Sequence, residues 1–142
     1  MPAKTTSCGV IVTDGKRLVL GHASRSPRWD IPKGGVEPGE TFPAAACREL
    51  LEETGLVAAE ASLVALGVKP YLRNKDLALF GWAVPELPDP KTLVCSTFFL
   101  LSNGASLPEF DRFGLFTPDE ALTRVGKNLA RLLAEISLAA LT

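Results

Sequence analysis

The chain has 142 residues, of which 46% are hydrophobic, 22% are charged and 7% are aromatic. These values are typical of one globular domain over residues 1–142, and they exclude disordered, fibrous and disulfide-scaffold proteins. The formal net charge is only −1. A protein that coats long nucleic acids or anionic membranes needs an extended basic face, so the composition argues against both partners.

The cysteines and the apolar runs favour a cytoplasmic location. Cys8, Cys47 and Cys95 are an odd number at wide spacing, without a C-x-x-C pair. We therefore expect buried thiols in a reducing compartment. The apolar run at residues 8–12 is too short for the core of a signal peptide. The longest apolar stretch elsewhere, residues 92–101, is interrupted by polar residues and cannot span a bilayer.

The first forty residues predict a β-hairpin followed by a loop. Apolar, β-branched residues at 8–13 and 18–21 flank the turn dipeptide Asp14-Gly15, which is a strong hairpin signal. Residues 22–39 are rich in Ser, Arg, Pro and Gly and predict a loop. Within this loop, residues 29–31 form a short extended piece before a proline.

A helix and three strands are predicted in the middle of the chain. The helix covers residues 41–54, with Thr41 as its N-cap and Gly55 as the residue that closes it. Turn-rich or charged segments, including the Pro-rich residues 85–90, separate the strands. The predicted strands are residues 63–68, 77–84 and 93–101.

The last part of the chain predicts helical structure. Residues 117–120 combine a Thr cap, Pro at the first helical position and Glu three residues after the cap, which is a capping box. Gly126 breaks this helix, and an apolar stripe at helical spacing then continues to the end: Leu129, Leu132, Leu133 and Ile136. Two helical regions separated by several strands indicate an α+β protein or an α/β/α sandwich with a mixed sheet.

Three carboxylates cluster near the end of the first predicted helix. Glu49, Glu52 and Glu53 are related as i, i+3 and i+4, which places them on one face, and Arg48 precedes them. Like charges at this spacing repel, so they need solvent or a cation. Carboxylate oxygens are the ligands of hard divalent cations such as Mg²⁺, which commonly bridge to phosphates.

A longer pattern surrounds these carboxylates. It reads Gly34, five residues, Glu40, seven residues, Arg48-Glu49, an apolar position (Leu50), any residue, Glu52-Glu53, any residue, Gly55 and a second apolar position (Leu56). Seven fixed identities at average usage arise by chance in on the order of one window in 10⁸ to 10⁹. The pattern matches the Nudix box without a departure, and the chain resembles the Nudix hydrolases. The resemblance implies an α/β/α fold and Mg²⁺-dependent hydrolysis of a nucleoside diphosphate linked to another group.

The resemblance also implies roles for the residues of the box. Glu49, Glu52 and Glu53 match the family's metal and catalytic glutamates, with Glu49 and Glu53 as the catalytic candidates, and the backbone carbonyl of Lys33 matches a further ligand of Mg²⁺ or Mn²⁺. Arg48 would orient the glutamates through charge-assisted hydrogen bonds. Glu40 has either a structural or a ligating role.

The general base has two candidates. Family members take it either from the box, which favours Glu49, or from a later loop, which favours Glu109 in this chain.

The substrate prediction depends on residues outside the box. Lys33 gives a PKG sequence that resembles the dinucleoside polyphosphate and diphosphoinositol polyphosphate branches, where an added cation is useful. Arg28 and Lys75 are further candidates for binding the phosphate chain, and Tyr71 is a candidate for stacking on a base. The first hypothesis is hydrolysis of a small nucleotide substrate, a dinucleoside polyphosphate.

Several alternatives stay open. The enzyme alternative is an ADP-ribose or nucleotide-sugar pyrophosphatase. An alternative of another class is a non-catalytic nucleotide sensor, although such a domain is expected to lose glutamates of the box, and all are present here. The signature of coenzyme A hydrolases is missing, and the balanced charge disfavours the branch that acts on 5′-triphosphate RNA.

Overall fold

The computed structural model describes residues 4–142, which contain a large mixed β-sheet and three α-helices. The strands are β1 (Thr5–Thr13), β2 (Leu18–Ala23), β3 (Trp29–Asp30), β4 (Lys33–Gly35), β5 (Val64–Leu72), β6 (Lys75–Ala83), β7 (Phe98–Leu100), β8 (Ser106–Pro108) and β9 (Phe110–Phe116). The helices are α1 (Phe42–Thr54), α2 (Pro118–Arg124) and α3 (Lys127–Leu133).

Strand β1 organises the large sheet. It pairs in parallel with β6 from Thr5 opposite Lys75 to Thr13 opposite Ala83. On its other edge it pairs antiparallel with β2 and β4. The hairpin partner β2 also pairs with β3 and β9, and β5 forms the edge beyond β6. β7 and β8 form a separate two-stranded hairpin.

Helices cover both faces of this sheet. On one face, Ala46 and Leu50 of α1 pack with Val10 of β1 and Phe80 of β6. On the opposite face, side chains of α2 and α3 pack against β1, β2 and β6 in a second cluster. Because successive residues of a strand point to opposite faces, β1 contributes to both clusters. The predicted α/β/α arrangement with a mixed sheet is confirmed.

The helix ends follow the predicted local signals. The Thr41 side chain accepts a hydrogen bond from the Ala44 N–H, and Gly55 closes α1 with a left-handed φ of 81°. Only a residue without a Cβ adopts this conformation at little cost. The complete capping box of Thr117 and Glu120 starts α2, and Gly126 separates α2 from α3.

The strand predictions were wrong in three places. Residues 93–97 are not a strand, and only Phe98–Leu100 of that segment pairs, with β8. β8 and β9 were missed, although β9 pairs along nearly all of β2. β4 lies within the predicted loop at residues 22–39, whereas β3 agrees with the short extended piece predicted at residues 29–31. These short or polar strands exist because a neighbouring strand supplies their hydrogen bonds, a contact that local periodicity does not reveal.

The final helix is shorter than predicted. α3 ends at Leu133, and a 3₁₀ turn at Ala139–Leu141 follows after a non-helical connection. Leu132 and Leu138 are nonetheless buried in the same cluster. Cys8, Cys47 and Cys95 are free thiols, and the first and third are buried. Within residues 4–142, no helix has the length and apolarity needed to cross a membrane.

Candidate active site

Helix α1 presents the carboxylates of the box at its C-terminal end. Its buried Ala46 and Leu50 face the sheet. Glu49 and Glu53 are also buried, with exposed fractions of 9% and 4%, whereas Glu52 is more exposed. The carboxylates therefore lie where the helix meets β4 rather than on a fully solvated face.

Arg48 joins the carboxylates into one network. Its Nη1 donates to Glu49 Oε1 at 2.8 Å and to Glu52 Oε2 at 3.2 Å. Its Nη2 donates to the carbonyl of Gly35 at 2.8 Å, so the same guanidinium also fixes the loop after β4. The arrangement is the one expected for a residue that orients the glutamates by charge-assisted hydrogen bonds.

Glu40 holds Arg48 from the other side. It accepts from Arg48 Nε at 2.7 Å and from Nη2 at 2.9 Å, in the bidentate geometry that suits a guanidinium. Glu40 also accepts from the Glu37 N–H at 3.0 Å. The hydrogen bonds from Arg48 lower the pKa of Glu40 to about 2. Since both of its oxygens are engaged, this geometry favours the structural alternative for Glu40.

Glu53 and Glu109 meet at the centre of the site. The Lys33 N–H donates to Glu53 Oε1 at 2.8 Å. Burial raises the pKa of Glu53 to about 10, and a hydrogen bond with Glu109 contributes in the same direction. Glu109 follows β8, fifty-six positions after Glu53, and the fold brings the two together.

Gly34 gives the Glu49 carboxyl its space. A Cβ at this position of β4 would overlap the Glu49 carboxyl group, whereas a Cβ on Gly35 would meet nothing within 4 Å. Burial raises the pKa of Glu49, although Arg48 opposes this shift. The first glycine of the box is therefore explained by a close approach to a carboxylate.

Two of the predicted substrate-binding residues lie together. The Lys33 ammonium forms an ion pair with Asp30 at 2.9 Å and lies 5.6 Å from the centre of the Tyr71 ring. Burial opposes the charge of Lys33, but Asp30, Tyr71 and Glu53 outweigh it and raise the Lys33 pKa. Tyr71 is half-buried and packs on the edge of the core. A cavity of about 190 Å³ connects this group to the carboxylates, with Asp30, Lys33, Glu53 and Glu109 in its wall.

The other two candidates are Arg28 and Lys75. The charge of Arg28 acts on Tyr71, against the burial that raises the Tyr71 pKa. Arg28 is exposed and lies near Gly126, at the start of α3. Lys75 begins β6, opposite Leu72 and Thr5. Within the described chain, neither forms an ion pair with an acidic side chain.

Several polar residues of the site were not predicted. Asp30 pairs with Lys33. Ser96 donates from its hydroxyl and its N–H to the Glu52 carbonyl, and Thr97 donates to Glu109. The Ser24 hydroxyl donates to the Pro108 carbonyl, and the Ser24 N–H donates to the Glu109 carbonyl. The only local signal for Asp30 was its i, i+3 spacing from Lys33, and the others had none because their partners are distant in sequence.

Comparisons with known proteins show which family the chain matches. The family model described as NUDIX domain matches residues 3–136. An uncharacterized 17.7 kDa protein in the e-segB intergenic region of Enterobacteria phage T4 is 37% identical over 141 residues, covering 92% of this chain and 93% of the phage protein. An RNA pyrophosphohydrolase of Erythrobacter litoralis is 54% identical over 73 residues, covering 49% of this chain and 43% of that protein.

A solved structure shows the same fold. The dihydroneopterin triphosphate pyrophosphohydrolase of E. coli superposes with a TM-score of 0.69 at 17% sequence identity, covering 96% of this chain and 99% of that one. At this identity the likeness concerns the fold alone. Since the family model spans almost the whole chain and includes the complete box of α1, the chain belongs to the Nudix hydrolase family, whose members cleave phosphoric anhydride bonds.

Proposed function

We propose that this protein is a Mg²⁺-dependent pyrophosphohydrolase of a phosphate-rich nucleotide, with a dinucleoside polyphosphate as the first candidate. The observation that carries the proposal is that Glu53 of α1, Glu109 and Lys33 line the same cavity. The carboxylates are suited to a divalent cation, and the ammonium is suited to additional phosphates.

The donor set fits a hard divalent cation. Glu49, Glu52 and Glu53 offer carboxylate oxygens and the Lys33 backbone a carbonyl, which are the ligand types of Mg²⁺ and Mn²⁺. In the described residues, no three acidic, thiol or imidazole side chains already converge as a finished cage. Instead, the Arg48 guanidinium bridges Glu49 and Glu52. A bound cation would polarise the phosphate oxygens and lower the pKa of an attacking water.

The residues of the chain supply the remaining functions. Arg48 holds the Glu49 and Glu52 carboxylates, and Glu40 holds Arg48. Glu109 lies against Glu53, at the cavity, where a carboxylate can accept the proton of the attacking water. Glu49 remains the other candidate for the general base, since it is buried on the same helix as Glu53 and is held by Arg48.

Lys33 supports a substrate with more than two phosphates. Lys33 lines the cavity, and among the acidic side chains of the described residues only Asp30 forms an ion pair with its ammonium. A chain of three or four phosphates carries enough charge to share that cation with Asp30, whereas ADP-ribose presents only two phosphates. Tyr71 lies beside Lys33, and its ring is a candidate for contact with a base or ribose next to the phosphates.

A second candidate substrate is a 5′-polyphosphorylated RNA end. The similarity to an RNA pyrophosphohydrolase over half of the chain favours it. The net charge of −1 argues against an extended RNA track. A short 5′ end would need only the phosphate site and one or two bases, so both substrates belong in the same test.

The test is product analysis by mass spectrometry after incubation with Mg²⁺ in ¹⁸O-labelled water. The panel contains dinucleoside polyphosphates, 5′-triphosphate RNA, ADP-ribose, nucleotide sugars and nucleoside triphosphates. Asymmetric cleavage of a dinucleoside polyphosphate, abolished by chelator and by Glu53→Gln but retained by the exposed-site control Glu60→Gln, is the expected result. Preference for ADP-ribose would overturn the substrate choice. Tight nucleotide binding without any turnover would replace the enzyme with a sensor.

A further inference from the structure

Residues 94–97 tie the end of α1 to the loop that carries Glu109. The Val94 N–H donates to the Thr54 carbonyl at 3.0 Å. The Ser96 N–H and hydroxyl donate to the Glu52 carbonyl at 2.7 and 2.8 Å. The last carbonyls of a helix have no partner within the helix, so this linking segment satisfies them and fixes its own position relative to the carboxylates of the box.

Thr97, the last residue of the linking segment, binds Glu109 twice. The Glu109 N–H donates to the Thr97 carbonyl at 2.9 Å, and Thr97 Oγ1 donates to Glu109 Oε2 at 3.3 Å. The next residue, Phe98, pairs with Pro108 in the β7–β8 hairpin. The hairpin register therefore sets Thr97 directly beside Glu109.

The hydroxyl of Thr97 has a role distinct from that of the backbone around it. Ser24 holds the same loop independently, because its N–H donates to the Glu109 carbonyl at 3.1 Å and its hydroxyl donates to the Pro108 carbonyl. The Cys95 thiol lies 3.3 Å from Thr97 Oγ1, so the hydroxyl can accept from the thiol while it donates to the carboxylate. Removing the hydroxyl alone would leave the Glu109 backbone in place and remove only the contact between Thr97 and the Glu109 carboxylate.

We propose that Thr97 is a positioning residue for the hydrolysis, and that its hydroxyl holds the Glu109 carboxylate against Glu53 at the edge of the cavity. The inference rests on the proposed function and deepens it, because it names what orients the candidate base. A carboxylate that is free to rotate spends less time in the orientation that accepts a proton from water. Thr97 itself contacts Glu109 and not the reacting atoms.

The test compares Thr97→Val, which removes the hydroxyl at nearly constant shape, with Thr97→Ser, which keeps it. Loss of a hydrogen bond to a charged group changes a rate or equilibrium constant by about 10-fold or more. Thr97→Val should therefore lower kcat by at least about 10-fold. KM should stay within about 2-fold, and Thr97→Ser should retain kcat within about 3-fold. The matched control is Thr123→Val on α2. The Thr123 hydroxyl donates to the backbone carbonyl of Glu120 in the same helix, so the kcat of this variant should equal that of the wild type.

A double-mutant cycle separates positioning from a general loss of structure. In a Glu109→Ala background, Thr97→Val should cause no further loss, because the carboxylate that it orients is gone. An equal loss in both backgrounds, or a Thr97→Ser variant as slow as Thr97→Val, would overturn the inference. Thermal unfolding of each variant shows that it is folded at the assay temperature, and Thr97→Ala replaces Thr97→Val if the latter is not.

The outcomes also separate this inference from the proposed function. A wild-type protein that hydrolyses a nucleotide of the panel, with a Thr97→Val variant of unchanged kcat, overturns only the role of Thr97. A folded wild-type protein with no turnover of any panel member overturns the proposed function and this inference together.

Discussion

Substitution of Gly34 by alanine tests the contact between β4 and the Glu49 carboxyl. The added Cβ would overlap all three atoms of that carboxyl group. The backbone of Gly34 pairs with Cys8 of β1 and does not have a positive φ, so alanine fits the strand itself. The conflict is confined to Glu49, whose Oε1 accepts from Arg48.

The expected loss of activity follows from how far the Glu49 carboxyl group must move. Nonbonded carbon atoms keep a separation of about 3.5 Å, so the carboxyl group must move by about 1 Å. A misplacement of about 1 Å in a catalytic group costs about 100-fold in rate, which is about 2.7 kcal/mol of activation free energy. The Glu49 carboxyl is the mobile end of its side chain, so we expect the free energy of unfolding to fall by only about 1 kcal/mol.

The assay compares Gly34→Ala with Gly35→Ala. Gly35 lies next in the same strand, and a Cβ there meets nothing within 4 Å. Steady-state kcat with Mg²⁺ and the best nucleotide of the panel gives the activity, and Mn²⁺ titration followed by electron paramagnetic resonance gives the metal affinity. Gly34→Ala should lose about 100-fold in kcat and bind Mn²⁺ more weakly, while Gly35→Ala should match the wild type in both.

Two results would refute the reasoning. A Gly34→Ala variant with wild-type kcat would show that the position of the Glu49 carboxyl does not matter for turnover. Equal losses in Gly34→Ala and Gly35→Ala would show that the loop needs glycine for its backbone freedom, and not for the space that Glu49 fills.

Three further predictions concern the charges of the site. Burial raises the pKa of Glu53 to about 10, so the folded protein keeps a proton that the unfolded chain releases above the ordinary pKa of 4.5. In the presence of a chelator, the melting temperature should therefore fall as the pH rises from 5 to 8, and Glu53→Gln should remove this fall. A fall of equal size in the variant would contradict the prediction. Arg48 lowers the pKa of Glu40 from 4.5 to about 2, so the stability that this pair contributes is present above pH 4.5 and is lost as the pH falls toward 2. In denaturant titrations, Glu40→Gln should be less stable than the wild type at pH 7 and approach its stability near pH 2. A difference in stability that does not change with pH would contradict this role of the pair. Lys33→Met should raise KM by about 10-fold for a substrate with four phosphates and by less for one with two, and equal increases for both would remove Lys33 from substrate recognition.

The sequence determined the parts of the protein that depend on neighbours along the chain. The cap at Thr41, the glycine at position 55 and the capping box at residues 117–120 act within one or two helical turns, and the structure has all three. The i, i+3 and i+4 spacing of Glu49, Glu52 and Glu53 likewise follows from helix geometry alone. The family, the helix that carries the three carboxylates and the layered arrangement could therefore be predicted.

Which distant groups meet depends on the folding of the whole chain. Glu109 reaches Glu53 because β9 pairs with β2 and the linking segment crosses the end of α1. Lys33 had an uncertain role in the sequence, and the fold gives it Asp30 and Tyr71 as partners. β9 and residues 93–97 were mispredicted for the same reason, since hydrogen bonds between segments separated by tens of residues outweigh local propensity. The carboxylates at the end of α1 can be identified from the sequence alone. The residues that line the cavity with Glu53, such as Asp30 and Glu109, come together only when the chain is folded.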